Sequence, residues 1–134
     1  MDYAWIKGFN YQPGYSSCLQ YTWTSFDRAA WEREVPYAKR FGATVLRIWL
    51  DWSAYLALGE GMIDHLESAL DILGRNGLQM MPVLFNRWVD PRYPAGGISS
   101  EDLTHSNYAF DKFWPYVDAL VGRLGQDERI VMWD

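Results

Sequence analysis

Apolar runs and amphipathic stretches alternate along the chain. Residues 4–11 (AWIKGFNY) mix aromatic and β-branched side chains and end at Gln12-Pro13-Gly14, a turn signal, which predicts a first strand. From about Ser25 the apolar positions Trp31, Val35, Ala38 and Phe41 recur at steps of three and four, with Gly42 where a left-handed cap belongs. This predicts a first helix, which Pro36 should bend unless the helix starts later. Residues 43–52 (ATVLRIWLDW) form a nearly unbroken apolar run interrupted by one Arg, the pattern of a strand covered on both faces in a parallel sheet. Ile63, Leu66, Leu70 and Leu73 mark a second helix that stops at Asn76-Gly77. The next run, 78–85 (LQMMPVLF), predicts a third strand. Pro82 is awkward inside it, and a bulge would reconcile the two.

A polar, Gly- and Pro-rich stretch follows over 86–107, a length that compact domains reserve for functional or mobile loops. Phe110, Phe113, Val117, Leu120 and Leu124 then predict a third helix, with Ser106 or Asn107 as its N-cap and Gly125 near its end. The chain closes on Arg129-Ile130-Val131-Met132-Trp133-Asp134, which reads as a buried fourth strand. Strand and helix therefore alternate from one end to the other as a single domain over 1–134. That alternation calls for parallel strands joined by right-handed crossovers, in either an open doubly wound sheet or a closed barrel. The turn after the first strand carries no glycine-rich phosphate motif, which favours the (β/α)8 barrel, present as a half barrel of four strands and three helices.

Composition narrows the chemistry. Net charge is −5 and no basic stripe exists, so a nucleic-acid partner is not expected. The single cysteine, Cys18, can form no internal disulfide, and no apolar run approaches the length of a membrane span. The N-terminus lacks the pattern of a signal peptide, which leaves a cytoplasmic protein and a secreted one with its signal removed both open. His65 and His105 belong to no ligand cluster and read as ordinary surface residues, so neither a metal nor a cofactor is expected. Helix residues such as Glu32, Arg33, Glu34 and Asp64 read as a solvated outer face.

Aromatic residues make up 17% of the chain, more than a core of this length needs, so some should line a surface. In a barrel the chemistry sits at the C-terminal ends of the strands. Those ends carry Asn10 and Tyr11, then Arg47, Trp49 and Asp51, then Asn86, Arg87 and Trp88, then Trp133 and Asp134. Indole faces stack on the C–H faces of sugar rings, while carboxylate, amide and guanidinium groups meet their hydroxyls, so a carbohydrate cleft is expected there. Two alternatives stay open. Arg47 could be an interior strand Arg paired with a neighbouring Asp, and the tryptophans could fill the barrel.

The stretch Ile6-Lys7-Gly8-Phe9-Asn10-Tyr11, with Gly42-Ala43-Thr44-Val45-Leu46-Arg47-Ile48-Trp49 after the first helix, resembles the opening of clan A glycoside hydrolases of family five, the cellulase and mannanase group. The third-strand segment 77–85 and the closing segment 130–134 are similar to the same group, so the resemblance covers essentially the whole chain. It implies a retaining hydrolase acting on β-linked polysaccharide or oligosaccharide, with Arg47 at the position that supports the nucleophile carboxylate. Asn86-Arg87-Trp88 departs from the group, many members of which carry a His near the end of strand three. The positions of the acid/base and nucleophile glutamates in that group lie beyond Asp134, so the chain alone is expected to be inactive. A homo-oligomer, or the second half of a barrel, is expected to cover the exposed inner face. A carbohydrate-binding or self-assembling half barrel is the alternative function.

Overall fold

Strand β1 (Gly8–Asn10), strand β2 (Val45–Trp49) and strand β3 (Gln79–Val83) form a parallel sheet in that order, with β2 in the middle. The computed structural model describes residues 2–85 and 108–134. Asn10 faces Arg47 and Arg47 faces Met81 across the sheet, so one row crosses all three strands. Helices α1 (Leu19–Thr24) and α2 (Arg28–Arg40) connect β1 to β2, and α3 (Trp52–Leu58) and α4 (Glu60–Arg75) connect β2 to β3. Helix α5 (Tyr108–Leu124) precedes the closing segment.

Period-two alternation divides the sheet into two unlike faces. Leu46, Ile48 and Leu50 point to one side and, with Leu78 and Met80, meet buried residues from all five helices. Trp23 of α1, Trp31 of α2, Ala54 of α3, Leu66 and Leu70 of α4, and Tyr116 and Leu120 of α5 close this core. Arg47 and Trp49 point to the opposite face and are only half-buried. The 3.6-residue periods read from the sequence belong to the faces that cover the sheet: Trp31, Val35 and Ala38 are buried on α2, as are Ile63, Leu66, Leu70 and Leu73 on α4.

Boundaries shift in ways that have local causes. The first strand is confined to three residues, and the second ends at Trp49 rather than Trp52, because Asp51 caps a new helix there. Helix α2 starts at an Asp27 cap whose side chain accepts from the Ala30 N–H at 3.1 Å, and it runs through Pro36 instead of beginning after it. Gly42 follows with φ of 76°, the left-handed turn expected of it. Helices α1 and α3 carry no long apolar period and are absent from the sequence reading. The loop 86–107, with the Ser106 or Asn107 cap, lies outside the described residues.

The closing segment departs from a regular fourth strand. It runs beside β3 and forms a single bridge, Met80 to Ile130, within a short run of backbone bonds. Met80 donates to Arg129 O and accepts from Val131 N, whereas Pro82 O accepts from Asp134 N and Leu84 N donates to Asp134 O. The acceptors Met80 O and Pro82 O are two residues apart, but their donors Val131 and Asp134 are three apart, so the closing segment holds one extra residue. This is a bulge opposite Pro82. It lies in the partner segment, not in β3, and it coincides with the one position of β3 that has no N–H to offer.

Close approach fixes β1 against β2. A Cβ on Gly8 would sit 1.8 Å from the carbonyl oxygen of Val45, so the pairing admits only glycine there. Gly8→Ala should destabilise the chain by about 2 kcal/mol or more. Gly122→Ala, in an open position of α5, should instead stabilise it by roughly 0.5–1 kcal/mol. Urea unfolding of the two variants checks the pair. An unchanged midpoint for Gly8→Ala is incompatible with this register.

Candidate functional site

The half-buried face of the sheet gathers polar groups at the C-terminal ends of its strands. Arg47 reaches from β2 and donates from Nε to Asp134 Oδ2 at 2.5 Å and from Nη1 to Asn10 Oδ1 at 3.3 Å. Its guanidinium carbon lies 4.4 Å from the centroid of the Trp49 ring, a cation–π contact. The guanidinium is thus held at two edges by acceptors and on one face by an indole. Below it a cavity of about 250 Å³ opens between Ile6, Gly8, Phe9, Asn10, Val45, Arg47 and Met81. Its lining is mostly apolar, with Asn10 and Arg47 as the polar side chains, the combination that small-molecule sites use.

Arg47 is thus a strand Arg paired with an Asp, one of the readings left open by the sequence, and it stands beside Asn10 on the half-buried face. The side chains of Arg47 and Asp134 are 34% and 41% exposed, so their pair is solvent-screened and contributes orientation more than stability. Trp49 shares this group, and its carbonyl accepts from Trp23 Nε1 at 2.9 Å, which ties the end of β2 to α1.

The other expected rim residues separate from it. Tyr11 turns toward α2, where its hydroxyl donates to Glu34 Oε2 at 3.0 Å and its ring meets Trp31 edge-on at 5.1 Å. Burial, and then the Glu34 carboxylate, push its phenol well above the usual range. Asp51 is 3% exposed and serves as the cap of α3, accepting from the Ala54 N–H at 3.0 Å and from the Ser53 hydroxyl. Trp133 packs against the helix-side core and not beside Arg47. Asn86 and Trp88 lie outside the described residues.

Two residues carry more than the sequence suggested. Glu34, read as outer-face charge, is 23% exposed and accepts from the Gly14 N–H at 2.9 Å as well as from Tyr11, so it clamps the turn after β1. Its place three residues after Trp31 and one before Val35, on the border of the apolar stripe, was the available signal. His65 likewise is no free surface residue: Nδ1 lies 2.8 Å from Trp23 O and the ring stacks on Phe26 at 4.9 Å. Elsewhere α5 is fastened to α4 by Arg123, which bonds Asp64 and Glu67 at 2.7 and 2.6 Å. Arg129 joins Asp127 and Asp71, and its hydrogen bonds hold the Asp127 carboxyl below its usual range. Among the described residues no group of three His, Cys, Asp or Glu side chains could hold a metal ion, and no helix is long and apolar enough to cross a membrane.

No family model matches the sequence, and no curated protein does. Solved structures do match. The exo-β-1,4-mannosidase Op5Man5 from Opitutaceae bacterium strain TAV5 superposes with a TM-score of 0.75 at 21% identity, over 95% of this chain and 23% of its own. GH5_18 from Streptomyces cattleya, solved with GlcNAc, gives a TM-score of 0.73 at 14% identity over 95% of this chain and 33% of its own. A variant of GH5_18 in complex with Manβ1-4GlcNAc gives 0.68 at 14% identity, over 84% and 30%. The fold is that of part of a TIM barrel. The chain spans between about a quarter and a third of the length of these neighbours.

Burial raises the Asp51 carboxyl, the Ser53 and Ala54 bonds opposing that shift. A raised folded value contributes stability at low pH that is lost as pH climbs through it. Asp51→Asn keeps the capping oxygen and removes the buried charge. It should flatten that loss above about pH 4, the ordinary range of the carboxyl, whereas Asp51→Ala should cost about 1 kcal/mol or more through loss of the cap. Urea unfolding from pH 3 to pH 8 separates the two. Equal behaviour of both variants would rule out the cap.

Proposed function

We propose that this chain forms the N-terminal, sugar-facing part of a glycoside hydrolase-like (β/α)8 barrel that acts on β-linked, manno-configured oligosaccharide or polysaccharide. The observation that carries the reading is Arg47, presented from the middle of β2 between Asn10 and Trp49 beside an open cavity. The shared fold with a β-1,4-mannosidase and with a protein solved with GlcNAc and Manβ1-4GlcNAc supports the class of sugar. In a complete barrel the segment 130–134 stands as the fourth strand, and Asn10, Arg47 and Trp49 form one wall of the sugar site, with Asn86 and Trp88 as further candidates.

Retaining hydrolysis needs two carboxyl groups about 5 Å apart, one protonated and one ionised. Asp51 is committed to the cap of α3 and Asp134 to Arg47, so neither is offered as a reacting acid. Binding without hydrolysis is what the chain alone is expected to display. Titration with manno- and cello-oligosaccharides, followed by Trp fluorescence, should show saturable binding that Arg47→Ala weakens by roughly tenfold, the usual order for losing a charged hydrogen bond. No response at millimolar sugar counts against a carbohydrate site, and release of an aryl aglycone by the pure chain counts against the binding-only role.

A second reading is self-association. Phe9 is 44% exposed on β1, and β1 pairs only with β2 among the described residues, so a second copy meeting this edge of the sheet would cover both apolar surface and an open strand edge. Light scattering on the eluting protein should then give twice the 15.6 kDa of one chain. A folded species of single-chain mass at micromolar concentration argues against it.

A further inference from the structure

We infer that Asp134 is the positioning residue for Arg47, and that the bulge opposite Pro82 is the device that brings its carboxylate to the ligand side of the sheet. The inference rests on the reading that Arg47 faces the ligand, and it extends that reading to a residue outside the wall of the sugar site described above.

Parity carries the argument. Side chains alternate along a strand, so two residues separated by an odd number of steps point to opposite faces. Ile130, the bridge partner of Met80, packs against the helix-side core. Trp133 lies three steps further and would face the other way in a regular strand, yet it packs against the same core. Asp134, four steps from Ile130, would face the helices and instead meets Arg47 on the opposite face. The extra residue between Val131 and Asp134 accounts for both reversals at once.

Asp134 is also held where it stands. Its N–H donates to Pro82 O at 2.9 Å and its carbonyl accepts from Leu84 N at 2.7 Å, so its backbone is fixed to β3 from both sides. From there the carboxylate takes Nε, the edge of the guanidinium nearest the stem, while Asn10 takes Nη1 and Trp49 lies against the plane. A planar group constrained at two edges and one face has a set direction. Pro82 fits the same scheme, since it asks for no acceptor from the segment at the point where the register slips.

The 15N-labelled 134-residue chain tests this through the side-chain Nε–H signal of Arg47, assigned by its loss in Arg47→Lys. In the unaltered chain it should resonate downfield and exchange slowly with water. In Asp134→Ala it should move toward the free-arginine position and lose about tenfold in protection, as expected when a charge-assisted bond is removed. The Arg47 methylene protons should at the same time lose the ring-current shift of Trp49. Asp134→Glu should restore much of both signatures. Deletion of Met132, which removes the extra residue, leaves Asp134 three steps from Ile130 and so on the Arg47 face of a regular strand; it should keep the unaltered Nε–H signal, and loss of that signal in a folded deletion chain counts against the parity argument. Should the deletion variant fail to fold, the Asp134→Ala and Asp134→Glu pair decides alone. An Nε–H signal unchanged in a folded Asp134→Ala chain overturns the inference. Absence of oligosaccharide binding in the unaltered chain would sink the ligand reading while leaving this signal to judge Asp134.

Discussion

The alternation of β2 is the constraint on which the remaining structure rests. Five residues, Val45 to Trp49, send Leu46 and Ile48 into a core shared by every described helix and leave Arg47 and Trp49 on the other side. Any shift of that strand by one residue would bury a guanidinium among leucines and expose the core, at a cost far larger than a single surface interaction. Because the core enforces the register, the direction of Arg47 is inherited from packing that has no part in ligand contact. The site is built on the back of the core.

The ends of the sheet then refine what the core provides. Asn10 arrives beside Arg47 because Gly8 lets β1 come close enough to pair, and Asp134 arrives because the closing segment slips by one residue. Both depend on backbone geometry more than on side-chain affinity. A half-exposed ion pair at this position is screened by water and supplies direction, while the apolar contacts of Trp23, Trp31, Leu66 and Tyr116 supply the stability that makes direction meaningful.

Much of this was legible in the sequence. The apolar period of α4 and the unbroken run around Arg47 identify the crossover and the central strand, because burial on a helix face and on both faces of a strand leaves distinct periods. Arg47 and Asn10 could be placed together from the ends of their strands. Asp51 and Tyr11 could not be told from rim residues, since a capping carboxylate and a ligand-binding one occupy the same place after a strand and differ only in whether a helix begins there. Trp133 reads as a rim residue from its place at the end of the fourth strand, and that place does not tell which face it takes where one residue is extra. Pro82 hinted at that irregularity without saying which side of the ladder would absorb it. The short helices α1 and α3 left too few turns for any period to emerge.

The Glu34 clamp has a consequence for how the loop after β1 can change. One carboxylate holds this loop through two unlike handles, the main-chain amide of Gly14 and the hydroxyl of Tyr11. A main-chain amide survives every substitution but proline, whereas a hydroxyl is lost with a single substitution to phenylalanine. At position 14 any Cβ would stand 3.2 Å from Glu34 Oε1, so the carboxylate that grips the amide must give way to admit a side chain. The two anchors therefore bound the loop at positions 11 and 14, one through the hydroxyl and the other through space.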